Sequence, residues 1–204
     1  MKLLRPYAGT GAIFFPEGSL EKGGTCEFAT EICLKECSAV ANFGIFEEYH
    51  ISKRDKKSIL KFIQQESLSS IAAQILKDLD GLQTTILYWF ATGDCMSNNT
   101  DKIDDIICLF NAFDDIQQIG FTRNQNLWSE FYNQLCLTID KSEHKISRAG
   151  HYAIPNYKTK EIEIVINERI SYGCGGGVTK KNKFLHEANC KICLRKKVGC
   201  FYPE

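Results

Sequence analysis

A chain of 204 residues, 44% hydrophobic and 25% charged, has globular composition and the length to bury about 70% of its unfolded surface. Its 25 basic and 25 acidic side chains cancel, which excludes a whole-molecule field that would gather nucleic acid or an anionic membrane. Ten cysteines are the abnormal count, because a domain of this size needs no disulfides to stay folded.

The opening residues, Met1-Lys2-Leu3-Leu4-Arg5-Pro6-Tyr7, hold no apolar core of signal-peptide length. No stretch approaches the ~18 apolar residues of a membrane span. The expected address is a reducing cytoplasm, where clustered cysteines bind metal or do redox chemistry more often than they pair.

Residues 8–24 read as glycine-rich and turn-like around one apolar run at 12–15, expected as a first buried strand. Residues 54–80 read as one long helix. Ile59, Ile63, Ile71, Ile75 and Leu79 recur at multiples of four, with Leu68, Ala72 and Leu76 beside them. Gly81 stands where a C-cap glycine is expected. Residues 84–90 form a nearly continuous β-branched and aromatic run, which predicts a strand buried on both faces. It ends at Thr92-Gly93-Asp94. Asn98, Asn99 and Thr100 are candidate caps for a helix whose stripe is Ile103, Ile106, Ile107, Phe110 and Phe113. Residues 116–121 predict a short strand that ends at Thr122-Arg123-Asn124. Leu127, Trp128, Phe131 and Leu135 predict a third helix, whose end competes with a strand at 135–139. Residues 152–154 and 161–166 are also strand-like.

Helices alternating with strands predict an α/β fold of parallel βαβ units. The units are too few for eight repeats, so residues 1–170 are expected to form an incomplete (β/α) barrel or open parallel sheet. Residues 171–204 change composition and read as a small C-terminal cysteine-rich metal module.

Cys26, Cys33 and Cys37 give C-x6-C-x3-C among the polar neighbours Glu27, Glu31, Lys35 and Glu36. Three thiolates in one loop hold three irons of a [4Fe-4S] cluster and leave the fourth open to a ligand. A zinc site completed from elsewhere, or plain reduced thiols, are the alternatives. Cys174, Cys190, Cys193 and Cys200 supply four thiols, enough for a closed site without outside help. Gly175, Gly176 and Gly177 let the backbone fold tightly there, and Lys191, Arg195, Lys196 and Lys197 offset thiolate charge. An auxiliary [4Fe-4S] cluster is expected; zinc is the alternative, although it prefers two C-x2-C knuckles and only one is present.

In parallel α/β folds, ligands meet the chain beyond the carboxyl ends of strands. Gly93, Asp94 and Cys95 follow the strongest strand, and Thr122, Arg123 and Asn124 follow the next. Gly93 permits close backbone approach and Asp94 can hold an ammonium group. Arg123 can hold a carboxylate or phosphate. The bland readings are a turn glycine with a capping aspartate, and a surface ion pair for Arg123. Cys95 is a fourth ligand, a reactive thiol, or a buried small residue. Cys108 and Cys136 are expected in ordinary packing. His50, His144, His151 and His186 show no paired spacing and are expected to be structural or at the surface.

Taken in order, Gly11-Ala12-Ile13-Phe14-Phe15-Pro16, the cysteine spacing with Ser38-Ala39, Gly93-Asp94, Ile119-Gly120-Phe121-Thr122-Arg123 and Cys190-x2-Cys193 resemble the phage "gene product 88" family of radical-SAM-like iron–sulfur proteins. The loop departs from the usual C-x3-C-x2-C spacing of radical S-adenosylmethionine (SAM) enzymes. The resemblance implies a partial (β/α) barrel with a cluster in the loop after the first strand. It also implies a glycine-plus-acid pair, Gly93-Asp94, placed like the one that holds the SAM methionine amine.

The expectation is therefore a radical-SAM-like oxidoreductase or transferase with two [4Fe-4S] clusters and SAM as candidate ligand. Asp94, Cys95 and Arg123 are the candidate catalytic residues; Gly93, Asp94 and Thr122 are the candidate cofactor contacts. Its partners would be an electron donor such as a ferredoxin or flavodoxin and an unidentified small or macromolecular substrate, in the cytoplasm of a phage host, away from membranes. Two rivals stand beside it. One is an electron-transfer or cluster-carrier protein. The other is a zinc-dependent nucleic-acid module that uses Lys180, Lys181, Lys183, Lys191, Arg195, Lys196 and Lys197 beside Phe184, Phe201 and Tyr202.

Overall fold

The computed structural model describes residues 1–7, 9–35, 37, 51–97, 100–131, 134–140, 151–155, 172–173 and 200–201. The chain divides into two compact units, Met1–Gly120 and Phe121–Glu204.

In the first unit, β1 (Arg5–Tyr7) turns directly into β2 (Thr10–Phe14), and the two pair antiparallel with Arg5 opposite Ala12. Two residues separate the strands, a length that permits only a hairpin. Gly9 takes a left-handed φ of 75° there, and the Thr10 hydroxyl donates to the Tyr7 carbonyl at 2.6 Å. β2 then pairs parallel with β3 (Ile86–Thr92), and β3 parallel with β4 (Gln117–Thr122), whose last residues open the second unit. The order is β1-β2-β3-β4, an open α/β sheet. It is mixed rather than all-parallel, because the tight connection before β2 adds an antiparallel edge.

Side chains from both faces of β3 are buried, as its unbroken apolar run requires. Leu87 and Trp89 are fully enclosed, and the Trp89 indole N–H donates to Gln118 Oε1 at 3.0 Å. Gln118 completes the buried network by donating to the Ile107 carbonyl and Asn111 Oδ1, both at 3.2 Å.

The predicted single helix over 54–80 is two helices. After the short α1 (Glu31–Lys35), α2 spans Lys53–Gln65 and α3 spans Leu68–Gly81. Glu66 is extended, and Ser67 caps α3 by accepting from the Ser70 N–H at 3.2 Å. The open carbonyls of α2 are taken by one ammonium: Lys102 Nζ donates to Ile63, Gln64 and Glu66 at 3.0, 2.7 and 2.8 Å. The apolar stripe of Ile59, Ile63, Ile71, Ile75 and Leu79 is buried nonetheless.

Gly81 is not the cap of α3. Gln83 takes the left-handed position at φ 52°, while Thr84 N–H reaches the Leu79 carbonyl and Gln83 N–H the Asp80 carbonyl. This is the Schellman pattern with glutamine in place of glycine. Asp78 of α3 anchors the chain start. Its Oδ2 accepts from the N–H groups of Leu3 and Leu4 at 2.6 and 3.0 Å, and its Oδ1 from Gln74 at 2.8 Å. In α4 (Thr100–Asn111), Ile103, Ile106, Ile107 and Phe110 are fully buried. Phe113, expected on that stripe, lies past the helix end and is 42% exposed. Cys108, expected in packing, faces outward, because its position falls opposite the stripe.

The second unit holds α5 (Gln125–Glu130), with Leu127 and Trp128 buried. Leu135 opens β5 (Leu135–Asp140) rather than closing that helix. β5 pairs antiparallel with β6 (His151–Pro155), and β6 antiparallel with β8 (Cys200–Phe201), which runs parallel to β7 (Tyr172–Gly173). The predicted strand at 161–166 lies outside the described residues. Among the described residues, no helix is long and apolar enough to cross a membrane.

Candidate functional site

The site is built where β2 and β3 end side by side. Ala12 pairs with Tyr88 but Phe14 with Thr92, so β3 carries two more residues than β2 over the same length. The excess is absorbed by a bulge in which Phe90, a buried aromatic, takes a left-handed φ of 54°. A bulky residue held there is strained, and bulges of this kind re-aim the chain at strand ends. The two strands are then clasped: Phe15 N–H donates to the Thr92 carbonyl at 2.9 Å, and the Thr92 hydroxyl to the Phe15 carbonyl at 2.8 Å.

Gly93 follows at φ 74°. A Cβ there would lie 2.5 Å from Thr25 Oγ1, 2.7 Å from Phe15 Cβ and 3.0 Å from the Phe15 carbonyl oxygen. Both conformation and space therefore demand glycine.

The loop after β2 folds back on itself. The Pro16 carbonyl accepts from the Thr25 N–H at 2.9 Å and the Thr25 hydroxyl at 3.0 Å. The Gly18 carbonyl accepts from the Cys26 N–H at 3.0 Å, and the Ser19 carbonyl from the Gly24 N–H at 2.9 Å. Gly24 is packed so closely that a Cβ would clash with the Gly18 carbonyl. Lys56 of α2 pins the loop from outside through an ion pair with Glu17 at 2.7 Å, with both side chains about nine-tenths buried. Thr30 caps α1 by accepting from the Cys33 N–H at 3.1 Å.

This folding brings predicted residues together. Cys26 keeps part of its surface open to solvent, yet its sulfur is packed in enough protein that burial pushes the thiol from its ordinary 9.0 up to about 12. The Gly18 backbone opposes that rise; Asp94, Cys37 and Cys33 each add to it. The three cysteines of the first motif and the carboxylate after β3 thus lie within electrostatic reach of one sulfur. The acidic groups Asp94, Cys37 and Cys33 around that sulfur favour an incoming positive charge. Among the described residues, no three His, Cys, Asp or Glu side chains are drawn together tightly enough to hold a single metal ion.

Asp94 is buried; its N–H donates to Thr25 Oγ1 at 3.0 Å and its Oδ1 accepts from the Cys95 N–H at 2.7 Å. Cys95 lies inside the fold, its thiol donating to the Met96 carbonyl at 3.4 Å.

No family model, curated protein or solved structure matches this chain.

In the second unit, Thr122 is buried and its Oγ1 accepts from the Asn124 N–H at 2.9 Å, while Asn124 Oδ1 accepts from the Leu127 N–H at 3.1 Å. Asn124, expected on the ligand rim with Thr122 and Arg123, is the N-cap of α5; Arg123 is half-buried. Cys174, Cys190 and Cys193 lie outside the described residues. For Cys200 and Cys136 the backbone alone is described: Cys200 pairs with Tyr172 and Cys136 with Pro155. Sequence reading missed Thr25 and the Glu17–Lys56 pair. Glu27, noted there only as a polar neighbour of the cysteines, has a bonding role the sequence did not show: its carboxylate accepts the Ser97 N–H at 2.8 Å and the Ser97 hydroxyl at 2.9 Å. Glu27 flanks a cysteine, and that adjacency was its one available signal.

Proposed function

We propose that the chain is an iron–sulfur protein in which Cys26, Cys33 and Cys37 hold a site-differentiated [4Fe-4S] cluster. The supporting observation is that Asp94, Cys37 and Cys33 all bear electrostatically on the Cys26 thiol, in the loop after β2 that packs on the obligatory Gly93. A cubane spreads its protein ligands over separate corners, whereas one zinc ion draws its ligands to a point. When bound, the cluster supplies one open iron and one-electron chemistry.

The chain's own residues would prepare that chemistry. Burial keeps Cys26 protonated until metal displaces the proton. Gly93 lets Thr25 and Phe15 pack against the backbone beside Asp94, and Asp94 would offer a carboxylate to an ammonium such as that of SAM. Cys174, Cys190, Cys193 and Cys200 would hold an auxiliary cluster, fed by a ferredoxin- or flavodoxin-like donor. On this reading the protein is a radical-SAM-like redox enzyme of the phage "gene product 88" kind. Anaerobic purification tests it. A brown protein with about eight irons per chain is expected; a colourless protein with tightly bound zinc would sink it. An intact cluster that neither binds nor cleaves SAM after reduction would favour a carrier.

A further inference from the structure

Cys26 sits between two residues that both bond the segment after β3. On one side Thr25, fully buried, accepts the Asp94 N–H while donating to the Pro16 carbonyl. On the other, Glu27 receives both the N–H and the hydroxyl of Ser97. The cysteine backbone between them is itself tied to Gly18. Cys26 is thus flanked on both sides by residues bonded to the segment 94–97.

We infer that Thr25 and Glu27 are positioning residues that join the Cys26 loop and the Asp94–Ser97 segment into one mechanical unit, so that occupation of either reports to the other. The inference rests on the reading of Cys26 and Asp94 as one site. Its physical basis is that groups sharing bonds open together in local unfolding, with a common opening free energy. Coupling of this kind is reciprocal: whatever steadies Cys26 steadies Asp94, and a ligand on Asp94 tightens the hold on Cys26. Thr25 carries more of it than Glu27, because its bonds are buried and those of Glu27 are exposed.

The test uses the full, metal-free chain and two readouts, amide hydrogen exchange at residues 93–97 and iodoacetamide alkylation of Cys26. Thr25→Val removes the acceptor at nearly constant shape. It is expected to raise both rates by the same factor, about thirtyfold for the two buried hydrogen bonds of the hydroxyl, to the Asp94 N–H and the Pro16 carbonyl. Thr25→Ser, which keeps the oxygen, is expected to restore both. Glu27→Gln, a surface change that leaves the core intact, is expected to raise both by a smaller common factor. A rise at Asp94 with Cys26 alkylated at the wild-type rate, or the reverse, overturns the coupling. Iron reconstitution follows on the same variants. Matched rates in a chain that binds no iron uphold the coupling and defeat the cluster reading. Unmatched rates in a chain that does bind iron defeat the coupling and leave the cluster reading standing.

Discussion

The backbone N–H of Asp94 donates to the side-chain oxygen of Thr25 at 3.0 Å, across 69 residues of chain. The bond joins the loops that leave two parallel neighbouring strands, and it passes directly beside Gly93. Everything proposed for the site depends on those loops staying together.

Gly93→Ala tests the junction. Alanine must adopt φ 74° and place its Cβ 2.5 Å from Thr25 Oγ1 and 2.7 Å from Phe15 Cβ, both in the buried interior. Left-handed strain and overpacking add, and the expected loss is about 3 kcal/mol. Gly18 is the control. Its φ of 99° is equally unsuited to alanine, but a Cβ there meets nothing within 4 Å. Gly18→Ala is therefore expected to cost the backbone strain alone, about 1.5 kcal/mol. Urea denaturation of both variants checks the difference, and equal losses would show that space at Gly93 is immaterial.

Cys26 gives a pH prediction. The folded chain keeps this proton up to about pH 12, whereas an unperturbed thiol releases it near 9.0. Between those values the folded state binds more protons than the unfolded one, so stability falls as pH rises. The contribution is complete below 9.0. At pH 10 the metal-free chain is expected to have lost about 1 kcal/mol relative to Cys26→Ala measured over the same pH range. At pH 8, iodoacetamide is expected to label the exposed Cys108 at least about tenfold faster than Cys26, since the thiolate is the nucleophile. Peptide mapping by mass spectrometry reads both sites.

The strands β2 to β6 and the cysteine loop were legible because their signals are local, whereas β1, β7 and β8 were not, being two or three residues long with no apolar run. A β-branched run announces β3, and glycines and cysteines at short spacing announce the loop. The break between α2 and α3 was not legible, because Ile63 and Ile71 keep the helical spacing across it and the lysine that ends α2 comes from α4. Phe90 was hidden for a related reason: an aromatic residue within a strand run gives no sign of a left-handed backbone. Thr25 was hidden because its partners, Pro16 and Asp94, are chosen by strand pairing and not by sequence proximity. Glycine at 81 misled, since the Schellman bonds form two residues later around Gln83.

Lys56→Met leaves Glu17 buried without its ammonium. Uncompensated buried charge is costly, and a loss of about 3 kcal/mol is expected. Lys56→Met combined with Glu17→Leu removes both charges and is expected to recover most of that loss, because a buried pair contributes little over an apolar replacement. A double-mutant cycle in urea separates the terms. A double variant no more stable than the single would show that Glu17 is needed for more than pairing, as a support of the loop that carries Cys26.

Iron content discriminates between the two cysteine motifs. If each holds one [4Fe-4S] cluster, the anaerobic wild-type protein carries about eight irons per chain. Cys37→Ser removes a ligand from a site with three cysteines and is expected to lower the count to about four. Cys193→Ser is expected to do the same from the other motif, and the two together to leave almost none. Cys108→Ser, on the outer face of α4, is the control and should leave the full count. The two single variants should also differ in kind. Loss at Cys37 should abolish any spectral change on adding SAM, since the proposal assigns the open iron to the first motif. Loss at Cys193 should preserve it. A Cys193 variant that keeps all its iron but loses zinc would assign the second motif to zinc and confine the redox chemistry to the loop after β2.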